Sequence, residues 1–221
     1  MISSREFWDA WENYSDVFSV FDSGAIHQVT PLIENISGKE IKTVCDLGCG
    51  HGHFLPYLSE KFLKVIALDF STTCLEAAKT RCRAVNIQFW HSDMRNLSPL
   101  HDAIDVVISV NSILPINTSD ADRIINEIFA SLKNGGIFIG VLPSIDTCIY
   151  LGMLKMDKLI YDGLPDSEAL AVVRQEFAAA QFDALVGYFR DDPRKPCQKY
   201  FYSFEIEHRF KKAGFRGIRL E

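Results

Sequence analysis

The chain has 221 residues, 48% hydrophobic and 12% aromatic, with a formal net charge of −6 and a pI near 5.5. That apolar content supports one substantial domain and excludes an intrinsically disordered chain. Lys and Arg form no cluster, which argues against a nucleic-acid backbone as partner, and no run of 18 apolar residues offers a membrane span.

The opening "MISSREFWDAWENYSD" is polar and acidic and lacks the apolar core of a secretory leader. Ser3-Ser4-Arg5-Glu6 has the capping-box pattern and predicts a helix through about Tyr14; a second helical pattern spans 24–36. Short β-branched runs then alternate with helical stretches. "KTVCDL" (42–47), "KVIALD" (64–69), "IQFW" (87–90), "IDVVISV" (104–110) and "GIFIGVL" (136–142) are nearly continuous apolar runs, as strands buried on both faces of a parallel sheet are. Helices are predicted near 52–61, 73–84 and 119–133, the last capped by Thr118 or Ser119 and ended by an Asn134-Gly135-Gly136 turn. The alternation predicts an α/β fold: a doubly wound, mostly parallel sheet.

After Pro143 the rhythm breaks. Helices are predicted over 147–160 and 166–180, a hairpin of strands over 182–190 and 199–203 around "DDPRKP", a helix from about Phe204 to Lys212 stopped by Gly214, and a last strand in "RGIRLE". The expected plan is a single domain. An N-terminal helical cap (1–38) precedes a core (40–145), an insertion or lid follows the fifth strand (147–203), and a last helix and strand close the chain (204–221). Six scattered cysteines without a C-x-x-C pair read as reduced thiols in a cytoplasmic protein.

"CDLGCGHGHF" (45–54) concentrates three of the 13 glycines where the first strand turns into the first helix. Such glycines serve a tight turn or let a ligand lie against the backbone at the carboxyl ends of the strands. The spacing is G-x-G-x-G; His53 stands where the dinucleotide fingerprint G-x-G-x-x-G has its third glycine. Asp46 precedes the loop, Asp69 ends the second strand 19 residues after Gly50, and Asp93 follows the third strand. A lone acidic residue at a strand end is usually a solvated cap; a series on one edge suggests a site. Cys49, His51 and His53 spell C-x-H-x-H, but alternate loop residues diverge and no fourth ligand is evident, so no metal is expected.

"VCDLGCGHG", "VIALDFS", "FWHSDM", "IDVVISVNS" and "LKNGGIFIGVLPS", in this order, resemble the motifs of class I S-adenosylmethionine-dependent methyltransferases over residues 40 to 145, and "FKKAGF" resembles that family's late helix-to-strand signature. The resemblance implies the Rossmann-like methyltransferase fold and S-adenosyl-L-methionine as cofactor. By position, Gly48 and Gly50 would cradle its methionine part and Asp46 would orient the amino group. Asp69 would take the ribose hydroxyls and Phe70 would flank the adenine. Asp93 would accept from the adenine amino group with Met94 as backbone donor, and the Val110 carbonyl with Asn111 would close the methionine end. The chain stops one strand short of the family's usual ending.

The aromatic segments outside the core are expected to shape a pocket for a small-molecule acceptor, with Tyr14, Tyr150, Tyr161 and Tyr188 as candidates. No general base can be assigned by spacing, so the methylated atom (N, O or C) stays open, and a homodimer is compatible with the sequence. The charges at Glu205, Glu207, Arg209, Lys211 and Lys212 read as a solvated helix face. Two other readings remain at this point: an NAD-binding oxidoreductase, and a non-catalytic cofactor-binding or interaction subunit.

Overall fold

The structure, a computed structural model, describes residues 25–37, 43–190 and 197–220. The predicted first helix, and with it Tyr14, lies outside the described residues. Helix α1 (Ala25–Ser37) precedes five strands: β1 (Thr43–Leu47), β2 (Lys64–Asp69), β3 (Ile87–His91), β4 (Ile104–Val110) and β5 (Leu132–Val141). Between them run α2 (Leu55–Lys61), α3 (Thr72–Arg81) and α4 (Thr118–Ser131). All pairings in this sheet are parallel, in the order β3-β2-β1-β4-β5, so the strand order reverses between β1 and β4.

The central strands are apolar on both faces because both faces are covered. On one face Val29 and Ile33 of α1, Leu55 and Leu58 of α2, and Leu75 and Ala78 of α3 pack with Val44, Val65 and Val106. On the other, Ala121, Ile124 and Ile128 of α4 meet Cys45, Leu47, Ile66 and Val107. The doubly wound sheet expected from the alternation is present, and no described helix is long and apolar enough to cross a membrane.

Several expected boundaries move for local reasons. Helix α2 starts at Leu55, three residues later than read, because Gly48, Gly50 and Gly52 all take positive φ. Helix α4 is capped by the Asn117 side chain, which accepts from Asp120 N, rather than by Thr118 or Ser119. It ends at Ser131, and the chain enters β5 at once. The Asn134-Gly135-Gly136 turn lies inside that edge strand: Ile104 pairs with Leu132 but Val106 with Ile137, so three extra residues bulge out, with Gly135 at φ +80°.

Beyond Pro143 come α5 (Ile145–Tyr161), α6 (Asp166–Ala179), β6 (Tyr188–Phe189), β7 (Gln198–Lys199) and α7 (Ser203–Ala213). The hairpin is antiparallel as expected but only two residues long on each side. Residues 184–187 form a turn instead, and Phe182 and Phe189 join Phe177 and Tyr200 in a cluster of edge-on and tilted rings, so the aromatic run packs as a knot. The last strand expected in "RGIRLE" does not form among the described residues; Phe215 packs against Phe129, Phe138 and Phe210.

The charged face of α7 is also different from the expectation. Glu205 and Arg209 are largely buried and belong to a network. Lys199, 1% exposed, donates to Glu205 at 2.7 Å and to the Val186 and Tyr200 carbonyls. Arg209 bonds Glu205 and reaches Asp122 of α4, which Lys212 also reaches at 3.1 Å. Burying an ammonium is costly unless it is fully partnered, and here three acceptors surround it.

Candidate functional site

The site lies where β1 and β4 end, the point at which the strand order reverses and open α/β sheets leave a crevice. The glycine loop is fastened to β2 through its own backbone. Gly48 N and Cys49 N both donate to Leu68 O (2.7 and 3.0 Å), Gly50 N donates to Asp69 Oδ2 (2.8 Å), and Gly52 N donates to Cys49 O (2.9 Å). Gly48 (φ +75°) faces Ser112: a Cβ there would sit 2.3 Å from Ser112 Cβ. Ser112 Oγ in turn donates to Leu47 O at 2.6 Å, tying the end of β1 to the loop after β4. Gly52 (φ +72°) leaves room for α3, since a Cβ would lie 2.8 Å from that of Ala78.

Asp69, 6% exposed, accepts from Gly50 N on one carboxylate oxygen and from Ser71 N (2.9 Å) on the other. Ser71 then caps α3, its Oγ accepting from Cys74 N at 3.2 Å. Asp46, 5% exposed, sits in β1 between Ala67 and Ile108. Burial first, and the nearby Asp69 second, push its carboxyl up to about 7. Burial likewise raises the Cys45 and Cys49 thiols well above their ordinary range, and lowers His51 and His53 with help from Arg81.

A pocket with about 350 Å³ of space, open to solvent, is lined by Gly48, Asp69, Phe70, Met94 and Asn111, together with Cys74, Ser112 and Leu114. The first five come from four separated segments and were all singled out from sequence. Asn111 holds φ +50°, a left-handed conformation that Asn tolerates better than most residues, and donates its N–H to Val141 O at 2.9 Å. The sequence reading missed Cys74, Ser112 and Leu114; only their nearness to Phe70 and Asn111 in the chain pointed to them.

Other candidates are placed elsewhere. Asp46 lies beneath the loop, Gly50 (φ +51°) is in it, and Val110 ends β4 with its side chain against the core. The Asp93 carboxylate turns to Arg95, accepting from its backbone N (2.9 Å), Nε (3.0 Å) and Nη2 (2.7 Å), while Arg95 Nη1 reaches Asp120 at 3.1 Å. Tyr150 and Tyr161 are 58% and 90% exposed on α5 and do not line this pocket. Tyr188 pairs with Lys199 in the short hairpin, its hydroxyl 3.4 Å from Thr118 Oγ1. That hairpin leads into the crevice edge: Lys199 N donates to Pro115 O, Phe201 N to Pro143 O, and Ile145 N to Phe201 O. Asp105, at the opposite edge, accepts from Thr43 N and Lys133 and is structural. Among the described residues no cluster of His, Cys, Asp and Glu could hold a metal ion.

This arrangement selects a ligand by charge. A pyrophosphate would need unengaged N–H groups in the loop and a positive local field. Here four loop N–H groups are already bonded within the protein, and two buried carboxylates stand beside it. The loop favours a ligand with cationic groups, with apolar walls (Phe70, Met94, Leu114) for a flat ring and polar atoms on Asp69, Asn111 and Ser112.

Residues 44–136 match a family model described as a methyltransferase domain. A malonyl-[acyl-carrier protein] O-methyltransferase of Bacillus anthracis is 33% identical over 137 residues, covering 61% of this chain and 50% of that protein. A carboxy-S-adenosyl-L-methionine synthase of Campylobacter jejuni is 28% identical over 137 residues, covering 56% of this chain and 57% of its own length. The chain thus spans about half the length of these curated relatives. Among solved structures, the PH0226 protein of Pyrococcus horikoshii shares the fold, with a TM-score of 0.67 at 20% identity over 95% of this chain and 90% of that one. Residues 44–136 are thus similar to a methyltransferase domain, and the sheet shares its fold with the solved structure.

Proposed function

We propose that the protein binds S-adenosyl-L-methionine in the pocket at the ends of β1 and β4 and transfers its methyl group to a small-molecule acceptor. The observation that carries this reading is the pairing of an internally satisfied glycine loop with two buried carboxylates, Asp46 and Asp69. That pairing suits a ligand bearing an ammonium and a sulfonium, and opposes the pyrophosphate of a dinucleotide.

In this reading Asp69, held by Gly50 N and Ser71 N, keeps lone pairs for the ribose hydroxyls. Phe70, Met94 and Leu114 enclose the adenine, and Asn111 and Ser112 bound the methionine end. Asp46 supplies negative charge beneath that end. The sulfonium provides the activated methyl carbon, so the chain's own residues serve to align, desolvate and exclude water. With Asp93 engaged by Arg95, adenine selection rests more on pocket shape than on that carboxylate. The name of one relative, a malonyl-[acyl-carrier protein] O-methyltransferase, supports an acid oxygen as acceptor. Tyr188 and the 198–201 segment, at the crevice edge, are the nearest described candidates for the acceptor side. The six free cysteines, five of them buried, support a cytoplasmic setting.

The test is methyl transfer from isotopically labelled cofactor to a panel of small carboxylic acids, amines and phenols, free and carrier-bound. Label in an acceptor supports the reading. Binding of cofactor without transfer to any acceptor favours a non-catalytic subunit.

A further inference from the structure

Two wall segments of the pocket come from separate loops. Met94 lies on the loop after β3, and Asn111, Ser112 and Leu114 lie on the loop after β4. They converge over Gly48, where a Cβ would lie 3.4 Å from Met94 Cε and 2.7 Å from Ser112 Oγ. The first segment hangs between two anchors: Ser92 N donates to Asp69 O at 3.0 Å, and Leu97 N donates to Glu127 of α4 at 2.6 Å. Met94 and Arg95 sit between those anchors. The second segment runs into the start of α4, where Asn117 accepts from Asp120 N and its amide donates to Asp120 Oδ2 at 3.0 Å.

Arg95 connects the two segments. Its Nε and Nη2 grip the Asp93 oxygens at 3.0 and 2.7 Å as a fork, and Nη1 reaches Asp120 Oδ2 at 3.1 Å. One planar guanidinium thus spans from the loop after β3 to the cap of α4, a reach in two directions that a lysine ammonium does not reproduce. The Arg95, Asp93 and Asp120 side chains are 45%, 32% and 19% exposed, so salt can screen the bridge.

Resting on the cofactor reading for the ligand, we propose that Arg95 is a positioning residue. It straps the two wall segments together and makes ligand affinity in the pocket depend on ionic strength. Isolated surface ion pairs contribute little, but a bidentate pair continued into a network is the exception.

Methylthioadenosine tests this, because it carries an adenine, a ribose and a thioether sulfur without net charge, so salt does not screen the ligand. Isothermal titration compares the full chain with Arg95→Met, Asp120→Ala and the double variant. Asp120→Ala removes the α4 end of the strap and leaves the Asp93–Arg95 pair whole, with Asp120 N still able to donate to Asn117. Each single variant should weaken binding about three-fold to ten-fold, and the double variant no more than either one. Arg95→Lys should not restore affinity. Raising salt from about 0.1 M to about 1 M cuts the screening length from about 10 to about 3 Å and should shrink the parent's advantage over Arg95→Met about two-fold or more. If Arg95→Met does not fold, Asp120→Ala carries the same comparison. Parental affinity in Asp120→Ala, additive losses in the double variant, or an advantage indifferent to salt would overturn the strap and leave the cofactor reading standing. A parent chain that binds neither methylthioadenosine nor S-adenosyl-L-methionine would overturn both.

Discussion

Gly48→Ala should damage this protein by two separable routes. The first is conformational: a non-glycine residue at φ +75° costs about 1–2 kcal/mol. The second is steric, because the new methyl would lie 2.3 Å from Ser112 Cβ and 2.7 Å from Ser112 Oγ. Ser112 cannot yield easily, being held to Leu47 O, so overpacking adds a further ~1–3 kcal/mol. The sum is about 2–5 kcal/mol of stability, read from urea unfolding, together with loss of cofactor binding as the walls separate. Ser112→Gly alone should cost about 1–2 kcal/mol through the lost hydrogen bond and added chain entropy. The double variant separates the routes. With Ser112 truncated the steric part vanishes, so the pair should be less damaging than the sum of the singles by about 1–3 kcal/mol. Strict additivity, or an alanine variant as stable as the parent, would refute the argument that Ser112 dictates glycine here.

Asp69→Ala should destabilise the fold as well as weaken binding, since it strands the buried Gly50 and Ser71 N–H groups at about 1–3 kcal/mol each; a variant with parental stability and lower affinity alone would show that those bonds carry little. Asp46 has its carboxyl raised in the fold from 3.8 to about 7 by burial and by Asp69. The folded state thus holds the proton more tightly than the unfolded chain, and stability should fall as pH rises between these values. Asp46→Asn should match the parent below pH 4 and exceed it above pH 7, by up to about 4 kcal/mol; thermal melts at pH 4.5 and 8 check the sign. Lys199→Met should cost about 3–5 kcal/mol by leaving the Val186 and Tyr200 carbonyls without this donor and Glu205 with Arg209 alone, with hydrogen exchange rising first around 186–201.

The core was legible because its strands are continuous apolar runs, a pattern that only burial on both faces demands. The boundaries of β2 and β4 match residue for residue. Glycines able to take positive φ and a carboxylate at a strand end could be read from the residues themselves, whereas Phe70, Met94 and Asn111 were named only through the resemblance. What escaped is what depends on partners far along the chain. Nothing local indicates that Arg95 reaches Asp120 while it holds Asp93, or that Arg209 leaves solvent for Asp122. Aromatic runs near 182–189 satisfy a strand pattern as well as a ring cluster, and only Phe177 and Tyr200 decide between them. Cys74, at the start of α3, and Ser112, in the loop after β4, reach the pocket by a placement that propensity does not describe.

The central claim is that the crevice between β1 and β4 takes a cationic sulfonium cofactor. Isothermal titration of the full chain with S-adenosyl-L-methionine, at pH 7 in buffers of different ionisation enthalpy, tests it most directly. Saturable one-to-one binding should release protons from the half-protonated Asp46, and Asp46→Asn should abolish the release. NAD under the same conditions should give no heat of binding. Saturable NAD binding without a response to the sulfonium cofactor would contradict the account.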